Sequence, residues 1–251
     1  MACKLLLSLS YDGTNYAGWV IQNNAPTIQA ALNKAIKLIT KNSNFKTLGA
    51  SKTDAGVHAL DQKVLLTVDF QITDLTKFQK ALNKTLPPDI HVNAIAHVDQ
   101  NFVLREQILI KEYVYVINDQ QFDLHHHRYE LAWKFGILDL DKINQIAQLF
   151  VGQHEFKLFS GLKTNEYLDF QTRRTIDSIT VTRVAGKVVM NFQASGFIRY
   201  QIRMIVGAIL NNYQNKKITT MQIQEKLQGV GQKATTVINS SGLTLRKIYL
   251  K

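Results

Sequence analysis

Cysteine is nearly absent: the 251-residue chain holds one, Cys3. A single thiol excludes an internal disulfide and any multi-cysteine zinc site, agrees with a reducing compartment, and leaves Cys3 as a small apolar residue in the interior or at a strand edge. Long apolar runs are missing too. None approaches the roughly 20 residues a membrane helix needs, and the opening "KLLLSLSYDG" has no cleavage pattern and runs straight into a turn. The expectation is a cytoplasmic chain with no membrane span, its first strand beginning almost at once. The three prolines build no linker, and no Pro/Gly/Ser-rich stretch, short-period repeat or low-complexity segment divides the chain. Acid is also scarce. Nineteen Asp and Glu stand against thirty Lys and Arg, a net charge of +11 that favours a polyanionic partner through phosphate contacts. Residues 1–105 carry eleven basic and seven acidic groups and residues 106–251 nineteen and twelve, so no single tail explains the excess.

What is present is a core: 45% of the residues are apolar, enough for one large domain or two medium ones. In "PTIQAALNKAIKLIT", Ile28, Ala31, Leu32, Ala35, Ile36 and Ile39 follow helical spacing behind the candidate cap Thr27. Asp74 can cap a second, short helix. "HVNAIAHV" alternates, which places Val92, Ala94, Ala96 and Val98 on one strand face. Further on come a strand "KEYVYVI", a helix from about Leu140 to Val151, and a hairpin turning at Ala185-Gly186. "GFIRYQIRMIVGAILNNY" reads as a long helix whose apolar face is Ile198, Ile202, Ile205, Val206, Ile209 and Leu210, with Arg203 at its edge. Hairpins beside helices imply α+β architecture with mostly antiparallel sheets. Two similar α+β halves joined through one sheet fit the pattern, divided as residues 1–105 and 106–251.

Four stretches could carry chemistry. "SKTDAGVH" falls in a loop between strands, and Asp54 there is open to two readings: ordinary Asp-x-Gly turn chemistry, or a carboxylate kept ionised by Lys52 and Thr53 beside it. "YDGTNYAGW" has two glycines in a loop that suits close approach to a ligand, or a plain hairpin turn. "KEYVYV" puts Lys111, Tyr113 and Tyr115 on one strand face, where a ring among cations can stack on a base or simply pack. Arg203 needs a carboxylate or solvent, and Asp54 is a candidate partner. The "HHHR" tract at residues 125–128 lacks metal-ligand spacing, so no metal is expected. His58 and His154 are expected in loops, structural or RNA-facing.

In this order along the chain, "YDGTNYAGW", "TDAGVHA", an Arg and a Tyr eight residues apart (Arg105 and Tyr113), "HEF", "GFIRYQIRMIVG" and "GLTLRKIYL" resemble the tRNA pseudouridine synthase A family. The resemblance implies a tRNA-modifying isomerase that converts uridine to pseudouridine at positions 38, 39 and/or 40 of the anticodon stem-loop, without cofactor or metal. It implies two similar domains with a basic cleft between them, acting as a homodimer on tRNA. It assigns Asp54 as the catalytic carboxylate, Arg203 as the active-site arginine that pairs with it, and Tyr113 as the ring that stacks on the target base. Lys52 stands where the family has an arginine associated with base displacement, and Arg105 matches the arginine of an "FHAR" stretch. His58 closes the aspartate motif as a substrate-binding residue. Four departures mark a diverged member: Lys52, "EQIL" after Arg105, Met204 where an Asn is usual, and the lack of a frequent proline in the approach to Gly242. The alternative reading is a non-catalytic RNA-binding protein on the same fold.

Overall fold

The computed structural model describes residues 3–251 and divides them into two units: the chain up to Leu109 together with Thr244–Lys251, and Ile110–Leu243. The sequence expectation placed the change of unit at residue 105. It also left the final segment with the second half, whereas the last strand returns to the first unit.

In the first unit β1 (Cys3–Tyr11) leads through a long loop to α1 (Ile28–Thr40), followed by β2 (Phe45–Gly49), β3 (His58–Val68), α2 (Leu75–Thr85), β4 (Ile90–His97) and the single turn α3 (Leu104–Gln107). β1 is central, antiparallel to β3 on one side and to β4 on the other. Strict alternation along β1 buries Cys3, Leu5, Leu7, Leu9 and Tyr11, as period-two geometry requires when one face meets the core. The free edge of β3 is shared. β2 runs antiparallel along Val64–Val68, and the chain's closing strand, β11 (Leu243–Leu250), runs parallel beside His58 and Ala59. Asp61 helps to seat β11, accepting from Ser8 and Lys63 and from the Ile248 amide at 3.3 Å. Burial opposes its ionisation, but those donors outweigh it and hold the carboxyl below its usual range.

Both helices start where local chemistry says they should. The Thr27 hydroxyl accepts from Ala30 N, and Asp74 accepts from Lys77 N at 2.8 Å, each satisfying an orphan amide of the first turn. α1 buries Ile28, Leu32, Ala35 and Ile36, four of the six residues in the predicted stripe, while Ala31 and Ile39 are half-buried. The reading of β4 needs correction. Pairing with β1 skips Asn93, so alternation changes face there: Ile90 and Val92 are buried while Ala94 and Ala96 are exposed. A bulge of one residue inverts every side chain beyond it.

The second unit contains β5 (Ile108–Asn118), β6 (Leu131–Ala132), α4 (Leu140–Gln148), β7 (Gly152–Glu155), β8 (Arg173–Ile176), β9 (Ser178–Val184), β10 (Lys187–Ala194), α5 (Gln201–Tyr213) and α6 (Thr220–Leu227). β10 lies antiparallel between β5 and β9, and β7 pairs with β8. Ala185 and Gly186 turn the β9–β10 hairpin with φ of 49° and 80°, the geometry that matches strand twist in a two-residue loop. α5 begins later than its apolar spacing suggests. Tyr200 precedes it with φ of 62°, so Gly196–Arg199 cannot be helical continuation. The helix is also buried more widely than one stripe, with Met204, Gly207 and Ala208 covered as well. A Cβ on Gly207 would sit 2.8 Å from the Thr236 carbonyl, so only glycine lets that segment lie on the helix. His58 and His154 fall in strands rather than loops, in β3 and β7. Both units are mixed α/β with mostly antiparallel pairing, and among the described residues no helix is long and apolar enough to cross a membrane.

Candidate active site

Asp54 sits in the connection between β2 and β3, half-buried, between the buried Thr53 and the exposed Ala55. Its position is fixed from both sides. Toward β3, the Gln62 amide bridges the loop: Ser51 N donates to Gln62 Oε1 at 3.1 Å and Gln62 Nε2 donates to Ser51 O at 2.7 Å. Thr53 Oγ1 lies 2.8 Å from the Tyr11 hydroxyl at the end of β1. On the other side the "YDGTNYAGW" segment crosses the loop. Trp19 N donates to Thr53 O at 3.0 Å, Gly56 N to Tyr16 O at 3.1 Å, and Val57 N closes the turn onto Asp54 O at 3.2 Å.

The Cα faces of the two glycines of that segment meet protein backbone. A Cβ at Gly13 would stand 2.0 Å from the Val57 carbonyl oxygen. At Gly18, whose φ is +96°, it would stand 2.7 Å from Thr53 O and 3.0 Å from the Asp54 carbonyl carbon. Glycine is needed at both because no side chain fits between the crossing chains. Gly49 has a related role, since a Cβ there would overlap the Trp19 indole, which is 2% exposed and stacked on Tyr11.

His58 is buried where the two motifs meet. Its Nδ1 lies 3.1 Å from both the Gly13 amide nitrogen and Asp12 Oδ1, a position from which it accepts from the amide when unprotonated and donates to the carboxylate when protonated. Asp12 is itself held by the Thr14 amide and hydroxyl. Nearby, Tyr16 donates to Asp89 at 2.6 Å; burial and that carboxylate push the phenol above its usual pKa, so it stays a neutral donor. Lys52 and Arg105 are exposed, Arg105 on α3.

In the second unit Tyr113 is a buried residue of β5, opposite Phe192 on β10 and edge-on to Phe197, with ring centroids 5.4 Å apart. Tyr115 lies on the same face and is fully buried. Its hydroxyl donates to the Asn239 carbonyl at 2.7 Å, and burial raises its pKa. Gly242 of the "GLTLRKIYL" segment packs against that ring, and its carbonyl accepts from Val116 N. Arg203, half-buried on α5, donates from Nε to the Ile238 carbonyl at 2.8 Å, and its guanidinium lies 5.1 Å from the Tyr200 ring centroid. A cation over an aromatic face is held in orientation by the ring's electrostatic attraction. His154 of "HEF" donates from Nε2 to Val151 O at 2.9 Å and sits edge-on to the buried Phe156.

The histidine tract has local partners. His126 Nδ1 is 2.7 Å from Asp123, and His127 Nδ1 donates to Leu124 O. Among the described residues no three His, Cys, Asp or Glu are gathered as a metal site requires. Sequence reasoning missed Tyr11, Gln62 and Tyr200, since nothing in their spacing shows that they hold the Asp54 loop or Arg203.

Comparison with known proteins adds to these local arrangements. A family model described as tRNA pseudouridine synthase matches residues 8–104 and 146–249. Proteins called tRNA pseudouridine synthase A are similar along nearly their whole length. The protein of Mesoplasma florum is 52% identical over 99% of both chains, and that of Mycoplasma mycoides subsp. mycoides 55% identical over 99% of this chain and 98% of its own. The protein of Phytoplasma mali is 34% identical over 97% of each. The family match and these full-length relatives establish that the chain belongs to the tRNA pseudouridine synthase A family of isomerases.

Proposed function

We propose that this isomerase converts uridine to pseudouridine in the anticodon stem-loop of tRNA, at positions 38, 39 and/or 40, with Asp54 as the reacting carboxylate. The observation that carries the reading is the support of the Asp54 loop: Trp19 N holds the neighbouring Thr53 carbonyl, Gly56 N is tied to Tyr16 O and Val57 N closes onto Asp54 O, while Asp54 itself stays only half-buried. Rigid backbone under an accessible functional group is what positioning catalysis requires.

The reaction breaks the bond from ribose C1′ to N1, turns the uracil, and joins C1′ to C5. C5 loses its proton and N1 ends protonated, so the composition is unchanged and the atom balance closes without a co-reactant. An ionised carboxylate can start this by attack at C1′, by addition to the base at C6, or by removing the C2′ proton. Each route needs Asp54 deprotonated, and the resemblance gives Arg203 the task of keeping it so and orienting it. The base must first leave the helical stack, at a cost of a few kcal/mol. Phosphate contacts from a chain of net charge +11 and stacking on Tyr113 are assigned to offset that cost. Lys52 and Arg105, both exposed, are assigned to the RNA, and His58 to supporting the aspartate motif from beneath. The expected setting is a cytoplasmic homodimer in which one subunit grips the tRNA body while the other presents the target loop.

The test is chemical mapping of pseudouridine in unmodified tRNA transcripts after incubation with wild type or Asp54→Ala. Modification by wild type alone, with tRNA binding kept in the variant, is expected. Equal modification by both would remove Asp54 from the reaction. None by either would favour the non-catalytic RNA-binding reading, for which Lys52 in the place of an arginine is the supporting feature.

A further inference from the structure

Just before α5, a group of like charges converges on one short segment of the second unit. Arg199 donates from Nε and Nη2 to the Gly161 carbonyl, at 3.1 and 2.5 Å, and Nη2 also meets Glu166 Oε2 at 2.8 Å. From a different loop, Lys233 Nζ donates to the Leu162 carbonyl at 2.5 Å. Lys163 is exposed beside them, and its amide donates to the same Glu166 oxygen at 2.6 Å. The Lys233 ammonium is pulled below its usual pKa by burial and by Arg199, and Glu166 counters that.

Three cations thus lie around one carboxylate that is paired directly with Arg199 alone, and two of them, Arg199 and Lys233, are ordered on adjacent backbone carbonyls. As a structural clasp this is poor design, because exposed ion pairs contribute little and the like charges repel. As a cradle for an anion it has the right parts: an arginine fork and an ammonium oriented in advance, with donors to spare. The carboxylate in place is also cheap to remove. Glu166 and Arg199 are both partly open to water, and Leu168, two residues on, is 95% exposed, so apolar packing does not anchor this stretch. The site lies next to the arginine assigned to the reaction: the Tyr200 ring has Arg203 over it, and Gly161 is packed so closely that a Cβ would come within 2.5 Å of it. Tyr200 holds a φ of 62°, a conformation that non-glycine residues adopt rarely and often at functional positions.

We propose that Arg199 and Lys233 form a binding site for a backbone phosphate of the substrate RNA, and that Glu166 holds this site as an internal anion that the phosphate displaces. The inference rests on the RNA-substrate reading above and adds a specific contact and a competitor to it. Displacement frees Glu166 into solvent, so part of the binding free energy is spent on opening the segment.

The experiment is equilibrium binding of an unmodified tRNA transcript across a KCl series, for Glu166→Gln, Arg199→Gln and the double variant. Glu166→Gln should tighten binding about 3- to 10-fold near 0.1 M salt, the return expected from removing one competing charge. Arg199→Gln should weaken binding and flatten the slope of log K against log salt by about 0.7–0.9, one phosphate contact. In the Arg199→Gln background, Glu166→Gln should then change affinity less than about twofold, a coupling a double-variant cycle reads directly. Asp141→Asn, which neutralises an exposed carboxylate on α4, should not reproduce the gain. Equal tightening in both backgrounds, or an equal gain from Asp141→Asn, would reduce the effect to long-range charge and overturn the site. Weaker binding by Glu166→Gln would make the contact a clasp and overturn it too. Wild-type binding that ignores salt would sink the RNA reading along with it, whereas salt-sensitive binding with no coupling would sink the phosphate site alone.

Discussion

Replacing Gly18 with alanine tests the support of Asp54 without touching the carboxylate. Two costs act at this position. The φ of +96° disfavours any side chain, at about 1–3 kcal/mol for a residue held in a sparsely populated region. The new Cβ would also lie 2.7 Å from Thr53 O and 3.0 Å from the Asp54 carbonyl carbon, contacts that backbone must relieve by moving, at about 1–3 kcal/mol more. Gly136 separates the two costs. Its φ is +85°, but a Cβ there would meet nothing within 4 Å, so Gly136→Ala carries the conformational cost alone. Chemical denaturation of both variants should show Gly18→Ala less stable than Gly136→Ala by about 1–3 kcal/mol. Single-turnover pseudouridine formation should separate them further. A displacement of about 1 Å at a positioned catalytic group costs on the order of 10²-fold in rate. Gly18→Ala should therefore lose about that factor, and Gly136→Ala should stay within about twofold of wild type. Equal stability of the two variants, with turnover by Gly18→Ala within twofold of wild type, would refute the idea that the crossing of the glycine segment positions Asp54.

Other substitutions test the remaining assignments. If Tyr113 serves as a stacking ring, Tyr113→Phe should keep turnover within a few-fold while Tyr113→Leu loses about 1–3 kcal/mol in kcat/KM, the value of a base on an aromatic platform; equal losses would point to the hydroxyl instead. Lys52→Arg should raise kcat/KM by restoring a planar fork with paired donors, and unchanged kinetics would remove Lys52 from base displacement. Asp119 is fully buried and paired with Arg183 through two bonds of 2.7 and 2.8 Å, and Arg183 holds its carboxyl below the usual range. A depressed folded-state pKa gives stability that is complete above the unfolded value of about 3.9 and lost as pH falls through the folded one. The thermal midpoint of wild type should therefore drop on acidification below about pH 4, and Asp119→Asn should flatten that part of the profile. At neutral pH, Arg183→Leu should cost about 3–5 kcal/mol by leaving the carboxylate buried without its counterion, read by denaturant melts.

Legibility followed the range of the interaction concerned. The caps Thr27 and Asp74, the buried stripe of α1 and the Ala185-Gly186 turn were readable because each depends on residues within four positions. The start of α5 was not, since apolar spacing runs on through Ile198 while the backbone reverses at Tyr200. The face of β4 was misread because the bulge at Asn93 is a property of its pairing with β1.

The candidate site divides in the same way. Residue types alone were enough to mark Asp54 between a cation and a glycine, the tyrosines of β5, and the excess of positive charge, since those depend on composition and on local turn and strand chemistry. Three features were settled only by folding. Gly13 and Gly18 meet the Asp54 loop across some forty residues of chain, β11 returns to lie parallel beside His58, and Arg199, Lys233 and Glu166 gather from three separate segments. Contacts of that kind arise where distant backbones cross, and the energy that selects them is shared among partners that have no fixed spacing in the chain.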